Sequence, residues 1–289
     1  MTASEVSMRT VRLPCPHPKG EHMVSLTDWG KEDAPRTAIC VHGLTRNGRD
    51  FDRLATALCD RWRVLAVDVV GRGKSDWLED PFGYNYRQYV VDIAAIIKRL
   101  KLKDIDWIGT SMGGIIGMMI AAQEHAPIKR LVLNDVGPLL TVAALRRIAA
   151  YLAEPKFFGS VAEIETYMRS IYAPFGALPD VEWKHMAQHG HRRDQDGRYW
   201  LAHDPKIAEG ALSITDKNIE LWDFWDKIRC PVLLLRGETS DLVLRETAEE
   251  MKRRGPRATV VEVPKVGHAP ALRTGDQIRT IRDWLERTA

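Results

Sequence analysis

Six short apolar runs, each closed by a polar or glycine-bearing loop, limit the possible fold more than any other feature of this chain. They are Thr37–Val41, Arg63–Val69, Asp106–Gly109, Arg130–Leu133, Pro231–Leu235 and Thr259–Val263. Near-continuous runs of this length suit strands covered on both faces, not a sheet with one wet face. Helix-compatible stretches lie among them at Phe51–Cys59, Tyr86–Leu100, Met112–His125, Leu244–Arg253 and Asp276–Arg287. Strand–helix alternation of this kind builds a mostly parallel sheet with right-handed crossovers. Ahead of it, Met8–Leu13 and Met23–Trp29 alternate weakly and are expected as two antiparallel edge strands, joined by a turn at Pro14–Gly20.

The rhythm breaks once. Between Pro138 and Lys227 no strand run occurs, only helical and aromatic segments interrupted by prolines such as Pro174, Pro179 and Pro205. A stretch that long is not a loop within a compact domain. It is expected to be a helical cap, dividing the chain into a core part at 1–137, the cap at 138–227 and a second core part at 228–289. Its aromatic residues, Phe158, Tyr172 and Trp183 among them, are expected mostly to pack the cap onto the core. A few should line an apolar pocket.

A chain of 289 residues, 45% hydrophobic and 28% charged, has the material for one large α/β domain with an insertion. A net charge of +3 with no dense Lys/Arg tract argues against a nucleic-acid partner. No run is long and apolar enough to span a membrane, and Met1–Arg12 has no apolar core fit for a signal peptide. Cys15, Cys40, Cys59 and Cys230 lack the spacing of a zinc site or a disulfide framework. The expectation is a reduced, cytoplasmic protein; its oligomeric state is left open.

Gly109-Thr110-Ser111-Met112-Gly113 matches G-x-S-x-G between an apolar run and a helical one. Such a strand-to-helix turn exposes a serine hydroxyl on strained backbone, and its glycines let the two backbones approach closely. An ordinary helix N-cap would explain Ser111 but not the paired glycines. Ser111 is therefore the expected nucleophile.

A serine hydroxyl needs a base within hydrogen-bond reach. Of nine histidines, His268 follows the last apolar run and precedes the last helix, on the same sheet edge as Ser111. His42 also ends a strand, but it precedes the serine, whereas this architecture runs Ser, then Asp/Glu, then His. His42 is expected to shape a loop instead. For the carboxylate that orients the base, Asp241 is the expected residue, with Glu238 and Asp135 as rivals. The oxyanion formed by attack on a carbonyl needs preorganised N–H donors. These are expected from Met112, next to the nucleophile, and from Leu44 in the His42-Gly43-Leu44-Thr45 turn.

These stretches, with Asp68-Val69-Val70-Gly71-Arg72-Gly73-Lys74-Ser75, Ser240-Asp241 and Gly267-His268, resemble the α/β-hydrolase superfamily, in particular its cap-bearing branch of esterases, lipases and carbon–carbon bond hydrolases. The resemblance implies an α/β-hydrolase fold: an eight-stranded, mostly parallel sheet flanked by helices, with a helical cap inserted after the sixth strand. A serine nucleophile sets the chain apart from relatives that attack with aspartate. Gly73-Lys74-Ser75 is not a P-loop, because Asp68 stands where the first glycine belongs. His185 and His189 are spaced as in some zinc sites, but no glutamate follows His185, so a packing or solvated face is expected.

The expected activity is hydrolysis of carboxylic esters through an acyl-enzyme, on a small-molecule substrate and with no metal or organic cofactor. Polyesters and lactones fall within its scope. Carbon–carbon cleavage of vinylogous diketones, thioester hydrolysis, and a receptor that binds without turnover are the alternatives.

Overall fold

The apolar runs become the central strands of one eight-stranded sheet. In the computed structural model, which describes residues 7–152, 156–212 and 217–288, the strands are β1 (Met8–His17), β2 (Gly20–Trp29), β3 (Arg36–Val41) and β4 (Trp62–Asp68), then β5 (Ile105–Thr110), β6 (Ile128–Asn134), β7 (Val232–Gly237) and β8 (Thr259–Val263). They lie in the order β1-β2-β4-β3-β5-β6-β7-β8. β1 and β2 are antiparallel, β2 runs against β4, and the pairs from β4 to β8 are parallel.

Alternate strand residues feed two apolar layers. Ile39, Leu65, Val67, Leu131 and Leu234 join α2 (Tyr86–Arg99) and α3 (Met112–Ala121) through Ile93, Ile96 and Ile116. Ala38, Val64, Ala66, Val132 and Leu235 face α1 (Asp52–Leu58) and the C-terminal helix (Gly275–Arg287) through Leu54, Leu58, Ile281 and Leu285. Coverage on both sides is why the runs are apolar throughout. It also brings the carboxyl ends of the parallel strands to one rim, where open α/β sheets place their chemistry.

The edge pair is longer than expected. Pro14 and Pro16 do not form a turn but lie inside β1, paired with Met23 and Glu21. β1 is the outer strand and the two prolines are two residues apart, so both missing N–H groups fall on the side with no neighbouring strand.

Between β6 and β7 the chain forms α4 (Val142–Leu152), α5 (Val161–Ile171), α6 (Asp180–His189), α7 (Ile207–Leu212) and α8 (Trp222–Trp225). The expectation of no strands here needs correction. Residues 157–158, 191–193 and 199–201 form a small antiparallel sheet, and 139–140 pair with 219–220. Strands of two or three residues are too short to show alternation. Ile164, Met168, Trp183, Met186 and Ala187 give the segment its own apolar cluster.

Backbone and side-chain bonds tie this insertion to the loops on the rim. Gly73 N–H donates to Ala202 O at 2.7 Å, Asp204 N–H to Gly71 O at 2.8 Å, and Asn47 Nδ2 to His189 O at 2.8 Å. The Asp68–Ser75 loop is itself built by Asp68, whose carboxylate accepts from Gly48 and Lys74 N–H, while Ser75 Oγ donates to its carbonyl. A Cβ on Gly73 would lie 2.3 Å from the Asp68 carboxyl, so Gly73 is a packing requirement rather than part of a phosphate cradle.

Candidate active site

Ser111 sits between β5 and α3 at φ 50° and ψ −116°, a conformation that L-residues rarely adopt. Ser111 N–H donates to Asn134 O at 3.0 Å, and Trp107 Nε1 donates to Gly113 O at 3.0 Å, holding the turn from both sides. The glycines are required by contact. A Cβ on Gly109 would be 2.4 Å from Gly113 C, and one on Gly113 would be 2.0 Å from Val41 O. Both obstacles are backbone and cannot yield cheaply. Gly113→Ala is therefore expected to destabilise the fold by at least roughly 2 kcal/mol, lowering Tm by several degrees in a thermal melt. An unchanged Tm would mean that the tight approach is not needed.

His268 Nε2 lies 3.0 Å from Ser111 Oγ, and His268 Nδ1 lies 2.8 Å from Asp135 Oδ2. The residue that meets His268 is thus Asp135. This corrects the expectation for Asp241, which points outward, half exposed, and grips Arg147 through both carboxylate oxygens. Asp135 follows β6, which lies beside β5 and its Ser111, whereas Asp241 lies past the turn that ends β7. Glu238 accepts from Lys265 N–H at 2.7 Å and also stands apart.

Asp135 is fully buried at φ 52°. Its Oδ1 accepts from Gly237 N–H at 2.8 Å, and its Oδ2 accepts from Ser240 Oγ at 2.6 Å as well as from the imidazole. Ser240 Oγ in turn accepts from Leu242 and Val243 N–H. Buried carboxylates persist when their oxygens are satisfied this way. The working residue of the Ser240-Asp241 pair is therefore Ser240.

Asn134 was not anticipated. Its Nδ2 donates to Thr110 Oγ1 at 3.0 Å and to Pro270 O at 2.8 Å, tying the serine turn to the histidine loop. Gly267 N–H donates to Pro174 O at 2.7 Å, so the insertion also steadies that loop.

His42 shapes a loop, as its place in the chain predicts. Its Nδ1 donates to Gly43 O at 2.7 Å and its Nε2 accepts from Val69 N–H at 3.0 Å. The buried ring is held neutral with its pKa pushed down to about 3, burial being the main cause. Leu44, two residues on, and Met112, the first residue of α3, both line the space beside Ser111.

Burial likewise lowers His203 to about 3 and His189 to about 4, with neighbouring arginines adding to it. A histidine with a lowered folded pKa stays neutral in the native chain while the unfolded chain takes up protons below about pH 6.5. Stability should accordingly fall as pH drops from about 6.5 toward 4. Asp68, raised to about 6 by burial, and Asp92, raised for the same reason, act in the opposite sense but are two groups against three. Thermal melts at pH 7, 6 and 5 should show a falling Tm; a rise over that window would contradict these environments.

Asp52, His185 and His189 bring potential ligand atoms within 4.8 Å of one another. Their bonding fits an ion-pair network instead. Arg49 binds Asp52, and Arg273 Nη1 lies 3.2 Å from His185 Nδ1. A guanidinium only donates, so His185 Nδ1 accepts and Nε2 carries the proton facing Asp52 at 2.8 Å. A ring held that way turns no lone pair toward a cation. The network, extended by Arg53 and Arg273 on Glu182, fastens α6 to the core.

Two cavities meet at Ser111. The larger, about 320 Å³, is mainly apolar, with Leu44, Tyr86, Met112, Ile115, Leu145 and Ile148 in its wall. The smaller, about 60 Å³, contains His268 together with Arg46, Arg147 and Arg273.

A serine on a sharp strand-to-helix turn, a histidine in reach of it and a buried carboxylate in reach of the histidine thus stand together on the rim of a parallel sheet. The profile of the alpha/beta hydrolase family matches residues 38–280. A 3-hydroxybutyrate-oligomer hydrolase of Cupriavidus necator is 44% identical over 268 residues, which span 90% of this chain and 92% of that one. A 2-(acetamidomethylene)succinate hydrolase of Mesorhizobium japonicum is 29% identical over 231 residues, 80% of each chain. The crystal structure of an alpha/beta hydrolase from Novosphingobium aromaticivorans superposes with a TM-score of 0.84 at 33% identity, covering 99% of both chains. This chain belongs to the α/β-hydrolase family and is a hydrolase. A receptor without turnover is therefore set aside. Among the described residues, no helix is long and apolar enough to cross a membrane.

Proposed function

We propose that this chain is a serine esterase that cleaves short oligoesters of hydroxy acids, such as those of 3-hydroxybutyrate, through an acyl-enzyme. The observation that carries the reading is the unbroken line from Ser111 Oγ to His268 Nε2 at 3.0 Å and from His268 Nδ1 to Asp135 Oδ2 at 2.8 Å. The choice of oligoester rests on the 44% identical relative and on a roomy apolar cavity beside the serine.

In this reading His268 Nε2 takes the Ser111 proton as the oxygen attacks the ester carbonyl. The N–H groups of Met112 and Leu44 receive the oxyanion. Met112 opens α3, where backbone N–H groups have no partner within the helix. Collapse of the tetrahedral intermediate breaks the ester bond, and His268 passes its proton to the leaving alcohol. Water then repeats the sequence on the acyl-enzyme, freeing the acid and restoring Ser111. Asp135 stays anionic and holds the imidazole proton on Nδ1, so that Nε2 presents its lone pair to the serine. The 138–227 segment acts as the cap over this site, supplying the wall from Leu140, Leu145 and Ile148 to Tyr172.

Incubation with the linear 3-hydroxybutyrate trimer, followed by chromatography, tests the proposal. Monomer and dimer should accumulate with the native chain and not with Ser111→Ala. A trimer left intact by a chain that still hydrolyses p-nitrophenyl butyrate would overturn the oligoester assignment.

A further inference from the structure

We propose that Arg147 binds a carboxylate on the leaving-alcohol side of the substrate, so that the ester bond next to an acid terminus is the one cut. This rests on the esterase reading above and specifies its substrate end. Ser111 and Leu44 border both cavities, but His268 borders only the smaller and Met112 only the larger. The group that protonates the leaving oxygen must be within hydrogen-bond reach of it. The alcohol portion therefore leaves through the small cavity on the His268 side, and the acyl chain occupies the apolar one.

Three arginines and one carboxylate, Asp50, border that small cavity. Arg46 is spent on Asp50, with Nε–Oδ2 at 2.9 Å and Nη2–Oδ1 at 2.6 Å, and Arg273 is spent on Glu182 at 2.7 Å and on Arg49 O at 3.1 Å. Both side chains are nearly sealed from solvent. Arg147 differs. Its partner Asp241 is 49% exposed, and the arginine itself 40%. Exposed pairs hold weakly, so a substrate carboxylate can take the place of Asp241 on the same guanidinium fork, which is shaped for two carboxylate oxygens. Ser111 Oγ adds to the ester carbonyl, the bond to the alkoxy oxygen breaks, and that oxygen takes the proton from His268 and leaves as the hydroxyl of a short hydroxy acid still held by Arg147, before water frees the acyl group from Ser111. Units would thus be removed one at a time from the carboxyl end.

The experiment compares 3-butyryloxybutyrate as the free acid with its methyl ester, reading the ratio of kcat/KM. The native chain should favour the acid by about tenfold or more, the range of a charge-assisted bidentate bond. Arg147→Met should bring the ratio near one, and Arg147→Lys should restore part of it. Asp241→Asn should keep or raise the ratio, because it removes the competing carboxylate. A purely structural clamp between Arg147 and Asp241 predicts instead that Asp241→Asn and Arg147→Met fail alike, and that result would overturn the proposal, as would a native ratio near one. The same pair of compounds, titrated calorimetrically into Ser111→Ala, reads the preference without turnover. Failure to hydrolyse p-nitrophenyl butyrate would sink the esterase reading, whereas equal affinity for acid and methyl ester would sink only the role of Arg147.

Discussion

Asp135→Asn is expected to lower kcat on a neutral ester by about 10⁴-fold, the loss seen when the same change is made in a serine-protease triad. The surroundings explain why the amide cannot substitute. Gly237 N–H donates to one carboxylate oxygen, and Ser240 Oγ and the imidazole both donate to the other. An amide nitrogen facing Gly237 would set donor against donor. Turned toward His268 it would donate to Nδ1, forcing the imidazole proton onto Nε2, where it can no longer accept from Ser111. Asp241→Asn should stay within a few-fold of native on the same neutral ester, because Asp241 touches Arg147 and not His268. Steady-state kinetics on p-nitrophenyl butyrate, with circular dichroism to confirm folding, separates the two. The opposite ranking would return the role to Asp241.

Ser111→Ala and His268→Ala are each expected to remove about 10⁶ of the rate, and the double variant no more than either alone. Residues that move one proton along one line act as a unit, so their losses do not add. What remains in every case should be the small rate supplied by the N–H donors and by binding. If the double variant were far slower than both singles, the two side chains would be working in separate steps, contrary to the 3.0 Å contact between them.

The parts of this site that were legible in the sequence are those encoded locally. The turn around Ser111 announces itself because close backbone approach admits only glycine at 109 and 113. His268 is placed by its position between the last strand and the last helix. The acid is different. Asp135 and Asp241 both follow strands, and chain order allows either; only the adjacency of β5, β6 and β7 and the inward aim of Ser240 separate them. Asn134 and Arg147 carry no motif, since each bonds a residue more than ninety positions away along the chain, Pro270 and Asp241, and Asn134 also one on a neighbouring strand, Thr110. The short strands of the insertion were hidden because the pattern of two or three residues is indistinguishable from loop.

Labelling with a fluorophosphonate, located by peptide mass spectrometry and followed in time, tests most directly whether Ser111 is activated by His268 and Asp135. One adduct per chain is expected, on the peptide containing Ser111, forming far more slowly in His268→Ala and in Asp135→Asn and at near-native rate in Asp241→Asn. An adduct on another residue, or labelling that is slowed by Asp241→Asn and not by Asp135→Asn, would contradict it.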